Sequence, residues 1–390
     1  MKKMSLAILL ANLFIAFLGI GLVIPVLPTI MNELRLSGSV VGNLVAAFAL
    51  AQLIISPIAG RWVDQFGRKK MIVIGLIIFS FSEFLFGIGR IVEVLFISRI
   101  LGGISAAFIM PAVTAFIADI TTMETRPKAL GYMSAAISTG FIIGPGIGGF
   151  LAEIGPRIPF FAAAILAFLA AVLSVITLRE PERKHGEVIE ENLSGWKRIF
   201  SPLYFIAFLI IFITSFSLAA FESLFSLYVD RKFGFTPKDI AIIITGGAIV
   251  GAIAQVALFD RLTKYLGEIG VIRYSLVISV ILVYMMTVVT EYIHILLVTF
   301  IVFVGFDLIR PAITSYLSKI AGDEQGFVGG MNSMFTSIGN VLGPIIGGVL
   351  FDIKLDYPFY FAAIVLAFGL LFAMKWKKPK QLKQVSKSSL

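Results

Sequence analysis

The chain is 390 residues long, 58% hydrophobic and only 14% charged, with a mean hydropathy of +0.99 and a formal net charge of +9. A soluble domain carries about a quarter charged residues, so the solvent for so much apolar surface is lipid. Cysteine is absent, which removes disulfides, thiolate metal sites and cysteine nucleophiles, and the two histidines, His185 and His294, fall in or beside loops, which argues against a metal cage.

Lipid offers backbone polar groups no partner, so spanning segments are helices or strands of a closed barrel. Barrel strands alternate apolar and polar residues over about ten positions. This chain instead shows solid apolar runs of roughly 20 residues or more, the length a helix needs to cross the hydrocarbon. Cutting at charges, prolines and turn residues predicts spans over 5–30, 39–60, 70–90, 92–118, 128–152, 158–178, 202–229, 238–259, 269–290, 292–318, 326–351 and 357–376. Met1-Lys2-Lys3 and the apolar run behind it resemble a signal peptide. The run reaches Ile30 without a small-x-small cleavage site, so it reads as the first span, uncleaved.

The loops give the orientation. With both termini on one side, that side holds 23 Lys and Arg residues, the opposite side holds seven, and Arg99 and Arg310 stay within the membrane. This bias places both termini and the long central loop in the cytoplasm. It also turns the basic net charge into a topology signal rather than a nucleic-acid signal.

The expected fold is therefore an all-α integral membrane protein, with twelve transmembrane helices in two pseudo-symmetric six-helix bundles. The bundles are expected over 1–178 and 202–376, joined by a polar cytoplasmic linker at 179–201 and followed by a basic cytoplasmic tail at 377–390. The halves repeat. MPAVTAFIADI at 110–120 matches RPAITSYLSKI at 310–320, an offset of 200, and GFIIGPGIGG at 140–149 matches GNVLGPIIGG at 339–348, an offset of 199. Parallel duplication of six spans is the plan of major facilitator transporters, whose substrate site lies near the midplane between the halves.

Between the second and third spans runs GRWVDQFGRKK (60–70), read as a loop. Gly60 and Gly67 allow close approach and a tight turn. Asp64 is suited to pairing a cation or facing a helix N-terminus, and Arg68, Lys69 and Lys70 suit the cytoplasmic face. FDRLTKYLG (259–267) is a worn copy in the second half. Gly144, Gly146 and Gly149 spell a dinucleotide fingerprint, but no strand precedes them, a proline sits in the turn and the segment lies in an apolar helix. In lipid these small residues let helices touch, and Pro145 interrupts the hydrogen-bond ladder.

Acids deep in the second half carry the most chemical information. Glu222 lies in SLAAFESLFSLY and Asp307 near the centre of VFVGFDLIRPAIT. Burial in an apolar surround disfavours a charged carboxylate, so acids at that depth suit reversible protonation, and an acid also attracts a cation. Arg310, three residues after Asp307, shares its helix face and is either a static partner or part of the same chemistry. Arg99 in the fourth span faces the interior or snorkels outward, and Glu83 in the third span is nearer an interface. The chain has 36 phenylalanines, most of them for lipid or packing. Phe17, Phe48, Phe141, Phe303 and Phe306 lie near the centres of their spans and are candidates for an aromatic pocket that binds planar lipophilic cations. Gln52, Tyr132 and Asn340 are candidates for adaptable hydrogen bonds to the same ligands.

With FLGIGLVIPVLP (17–28), the 60–70 motif, GFIIGPGIGGF, AFESLFSLY (220–228) and FVGFDLIRPAITSYLSKIAG (303–322) in hand, the chain resembles the drug:proton antiporters of the major facilitator superfamily over essentially its whole length. Within them it looks like the Bmr-type multidrug efflux proteins of Gram-positive bacteria, relatives of NorA and Blt. The resemblance implies export, since composition gives no direction. It also implies a plasma-membrane protein that confers antibiotic resistance, exchanging protons for lipophilic cationic compounds by alternating access, as a monomer without cofactor.

By the same resemblance, Gly60, Asp64, Gly67 and Arg68 form a gating motif, and Gly140, Gly144, Pro145, Gly148 and Gly149 mark an antiporter. Glu222, Asp307, Arg310 and Arg99 would serve proton coupling, although Gly102 stands where the Arg99 motif often has a more polar residue. Phe17, Gln52, Phe141, Phe306 and Asn340 match pocket-lining positions. A proton symporter importing a nutrient is the alternative and would call for a polar pocket. A receptor without transport fits the duplication and the buried acids less well, and no nucleophile–base pair points to an enzyme.

Overall fold

A chain in lipid has to close its backbone hydrogen bonds inside each segment, and the long apolar runs do so as helices. The computed structural model describes residues 2–122, 124–181, 204–321 and 325–376. In chain order the elements are α1 (Lys2–Val23), a 3-10 turn (Ile24–Val26), α2 (Leu27–Glu33), α3 (Gly38–Phe66), α4 (Arg68–Ile88), α5 (Val92–Ile120) and α6 (Arg126–Ile154). There follow α7 (Ile158–Thr177), α8 (Phe205–Phe233), α9 (Pro237–Val288), α10 (Tyr292–Ala321), α11 (Gln325–Ile353) and α12 (Tyr357–Lys375). Among the described residues every regular element is helical, and 11 segments are long and apolar enough to cross a membrane, with Met4–Glu33 counted as one. The expected linker, beyond its first three residues, and the expected tail at 377–390 lie outside the described residues.

Local chemistry sets the helix ends. Pro25 and Pro28 lack the N–H that would continue α1, and the chain tightens into a 3-10 turn around Pro25 before α2 starts. Ser37 caps α3 by accepting from the Val40 N–H at 3.3 Å. Thr236 and Asp239 bond reciprocally at the start of α9, Thr236 N to Asp239 Oδ2 at 3.0 Å and Asp239 N to Thr236 Oγ1 at 3.3 Å. Arginine closes two C-terminal ends. Arg157 donates to the carbonyls of Gly87 and Gly89 at the end of α4, and Arg273 to those of Ala373, Met374 and Trp376 at the end of α12.

Two expectations need correction. The sequence places loops at 61–69 and 260–268, but both stretches are largely helical. α3 runs to Phe66, and Gly67 alone (φ 104°, ψ 153°) separates it from α4. α9 runs for 52 residues, and Gly267 (φ 68°, ψ 166°) is its point of non-helical geometry. Hydropathy marks where hydrocarbon ends, whereas Arg, Lys and Gln remain able helix formers beyond it. Positive φ is the conformation that glycine adopts without strain, and it ends each helix in one residue.

The described residues of Met1–Val188 and Phe225–Thr245 form one compact unit, and those of Ile189–Leu224 and Gly246–Leu390 form another. In the first, α1 packs on α6 and α7, α4 on α5 and α7, and α3 on α5. Its core includes Leu9, Leu13, Ile72, Leu76, Ala112, Val113, Phe116 and Ile117. In the second, α11 packs on α10 and α12, and Phe221 meets Phe359 edge-on at 5.6 Å. Large apolar side chains such as Ile154, Ile176, Val256 and Leu371 are exposed, as lipid-facing helix surfaces require.

Candidate functional site

α8 and α10 bring the second-half acids together. Glu222, Asp307 and Arg310 lie within electrostatic reach of one another. Glu222 and Arg310 are exposed to the space outside the packed helices and Asp307 is half-buried. Among the described residues no direct ion pair joins Asp307 to Arg310, and neither carboxylate has a hydrogen-bond partner. A static pair is therefore not what holds Asp307. Instead, its carboxylate rests on the backbone of α9, where a Cβ on Gly251 would collide with Oδ2. One turn earlier on α9, a Cβ on Gly247 would lie 2.5 Å from the Phe303 ring. Sequence reading missed Gly251. Its signal is faint, a glycine within an apolar helix.

The aromatic candidates divide. Phe303 stands edge-on to Phe221 at 6.4 Å, close to the acids, while Phe306 is buried in packing and Asn340 is exposed. In the first unit Phe17 and Phe141 make a tilted ring pair at 4.9 Å, and Phe141 is partly exposed. Phe17 and Phe48 line a small apolar cavity with Ile20, Phe79, Gly102 and Met110. A Cβ on Gly102 would lie 3.0 Å from the Phe48 ring, so glycine there serves ring packing. Gln52 is half-buried, and the exposed Tyr132 has Lys128 Nζ 5.9 Å from its ring centre.

The gating candidates form a charged cluster around Gly67. Arg68 Nε donates to Asp119 at 2.9 Å, Nη1 to the Val63 carbonyl at 3.2 Å, and Nη2 pairs with the exposed Asp64 at 3.0 Å. Glu180 accepts from the backbone N–H groups of Arg68 (2.5 Å) and Lys69 (2.9 Å), capping α4. A Cβ on Gly67 would strike that carboxylate, so this glycine is required by space as well as by its φ. Gly60 makes no comparable contact. Asp119 and Glu180 were not singled out from the sequence. Asp119 sits inside the repeat that matches Lys319, and Lys319 pairs with Glu268 in the second half. Arg68 and Asp119 thus have counterparts 200 positions on, with the signs reversed.

The glycine motif of α6 works as the sequence suggests, by letting backbones touch. Added Cβ atoms would lie 2.8 Å from Leu18 N at Gly140 and 2.7 Å from Leu18 O at Gly144, and would strike the Leu22 carbonyl at Gly148. Pro145 lies inside the helix against Gly21 of α1, and Gly149 faces Pro237 and Ala241 at the start of α9. Gly339 and Gly343 of α11 repeat the arrangement against Phe216 and Ala220 of α8. Arg99 of α5 points inward, its guanidinium 4.2 Å from the Phe86 ring centre and 3.8 Å from Glu83.

A profile of the Major Facilitator Superfamily matches residues 9–339 and 208–390. The chain belongs to the major facilitator superfamily. It is 72% identical over 383 residues to multidrug resistance protein 1 of Bacillus subtilis (strain 168), with 98% of each chain covered. It is 55% identical to multidrug resistance protein 2 of the same organism, over 97% of this chain and 96% of that one. It is 47% identical to the quinolone resistance protein NorA of Staphylococcus aureus (strain COL), over 94% and 95%.

The fold of this superfamily member also matches solved structures. A bacterial homologue of the human lysosomal transporter Spinster aligns with a TM-score of 0.80 at 16% identity, over 96% of both chains. The nucleoside transporter NupG aligns with a TM-score of 0.76 at 14% identity, over 96% of this chain and all of that one. As a major facilitator protein of the Bmr and NorA type, the chain is a multi-pass membrane transporter and not an enzyme.

Proposed function

We propose that this chain is a proton-coupled antiporter that exports structurally diverse hydrophobic, mainly cationic compounds across the plasma membrane by alternating access. The observation that carries this reading is the placement of Glu222 and Asp307, two carboxylates without hydrogen-bond partners among the described residues, within reach of Arg310 and beside Phe221 and Phe303. Such acids need a counter-charge. A proton and a lipophilic cation are alternative ways to supply it, and aromatic rings add area burial and cation–π attraction for the cation. Competition for one negative site makes the exchange obligatory. A proton arriving from outside displaces the drug, and a drug arriving from the cytoplasm displaces the proton. The names of the multidrug resistance and NorA relatives support both drug transport and its direction.

In this reading Gly267 divides α9 into two spans, 237–266 and 268–288, which brings the count to twelve. Both termini are cytoplasmic, as the 23-to-7 bias of Lys and Arg favours. The cluster of Asp64, Arg68 and Asp119 then lies on the cytoplasmic face as a gate, and the protein works as a monomer. Arg310 keeps the acids from trapping the cation too tightly.

The test is ethidium transport into inside-out vesicles with and without an imposed pH gradient, against empty-vector vesicles. Gradient-driven uptake that nigericin abolishes is expected. Glu222→Gln and Asp307→Asn, expressed at normal levels, should each fall to the empty-vector background. Full gradient-driven uptake in both variants would sink the reading, and substrate accumulation into whole cells would point to a symporter instead.

A further inference from the structure

Glu83 on α4 is 1% exposed and faces Arg99 on α5, whose side chain is 16% exposed. The approach is oddly loose. Glu83 Oε1 lies 3.8 Å from Arg99 Nη2, inside Coulomb range but beyond a hydrogen bond. Among the described residues, Glu83 Oε2 and the Nε and Nη2 of Arg99 have no hydrogen-bond partner. An ion pair kept for stability in an apolar interior needs close geometry and satisfied donors to offset its desolvation. This pair has neither.

The gap is fixed by its surroundings. One residue before each member, Ser82 and Ser98 bond reciprocally, Ser82 Oγ to the Ser98 carbonyl at 2.7 Å and Ser98 Oγ to the Ser82 carbonyl at 2.8 Å. Those bonds lock the register of α4 on α5. The Phe86 ring holds the guanidinium from the other side, and Phe86 is itself stacked on Phe160 at 4.7 Å. The charged groups of the neighbouring elements lie elsewhere. Arg157, at the start of α7, binds the Gly87 and Gly89 carbonyls and Glu33. α3 carries Arg61 and Asp64 at its far end, and α5 carries Glu93 and Asp119 towards its two ends. Among the described residues, Arg99 is the charged group that acts on Glu83.

We propose that Glu83 is a second proton-binding site, in the first unit, with Arg99 as its positioning residue. This inference rests on the proton-coupled reading above and adds a proton to it. In the open arrangement Glu83 is the neutral acid, and Arg99 keeps its charge over Phe86. When Glu83 gives its proton to water, the carboxylate swings onto the unpaired Nε and Nη2 donors and closes the pair. Protonation from water on the other side reopens it. In each transfer one O–H bond breaks and one forms, between Glu83 and water, and no other bond changes.

The experiment uses the purified full-length protein in liposomes and measures the limiting accumulation of ethidium against an imposed pH gradient. Each proton exchanged per cation multiplies that limit by about ten for each unit of pH difference. Glu83→Gln is expected to lower the limit about tenfold at one unit while uptake remains gradient-driven. Glu83→Gln combined with Arg99→Gln, which leaves no buried charge unpaired, is expected to give the same lowered limit. A wild-type limit in either variant overturns the proposal. Wild-type protein without gradient-driven accumulation takes down the antiport reading and this inference together.

Should neither variant fold, a hydrophobic carbodiimide, which modifies protonated carboxyls, decides the matter on the wild-type chain. Glu83 is expected to be labelled increasingly as pH falls. A Glu83 that stays unlabelled while Glu222 or Asp307 reacts overturns the proposal.

Discussion

Arg68 sends its guanidinium to three places at once: Asp119, Asp64 and the Val63 carbonyl. Its planar fork suits that task and a lysine ammonium does not. Asp119 is nearly as buried as Arg68, so Arg68→Ala leaves it unpaired at a cost of about 3 kcal/mol. We expect a clearly lower unfolding temperature in detergent for Arg68→Ala and a partial loss for Arg68→Lys. An Arg68→Ala midpoint equal to the wild type would show that the pair adds nothing. At this scale the sequence was half legible. Asp64, Gly67 and Arg68 stand out by their spacing, whereas Asp119 and Glu180 are 51 and 112 positions from Arg68 and become its partners only when the helices pack. The same holds for Glu83 and Arg99. Each is visible as a charge in an apolar run, and nothing local says that they meet.

Helices were the most legible level, because roughly 20 apolar residues in lipid have few other options. What hydropathy could not give is the length beyond the hydrocarbon, so α3 and α9 run through stretches that read as loops. The glycines of α6 were legible both as a motif and as a surface. Their four-residue spacing puts Gly140, Gly144 and Gly148 on one face, and that face meets the α1 backbone. Gly144→Val should overpack the α1–α6 contact by about 1–3 kcal/mol. Gly343→Val should do the same between α11 and α8. Thermal unfolding of the two variants checks this, and an unchanged midpoint for either would mean that its helix pair has room to spare.

The duplication is legible across the whole molecule at offsets of 199 and 200 residues, and it extends to backbone conformation, since Gly67 and Gly267 share positive φ. It also extends to charge with the sign reversed, Arg68–Asp119 in one half and Glu268–Lys319 in the other. Glu268→Lys alone and Lys319→Glu alone should each lower the unfolding temperature, and the double exchange should recover most of the loss. Additive losses in the double variant would show that the pair is not coupled.

The reversal has a consequence for synthesis. A duplicated protein emerges with two sets of near-identical helices, and the first half can capture a helix of the second before its own partners are in place. Had the latches been true copies, such an exchange would satisfy every charge. With opposite signs, a swapped assembly sets Arg68 against Lys319 and Glu268 against Asp119, like facing like. Each half is thereby biased against completing itself with its sibling's parts.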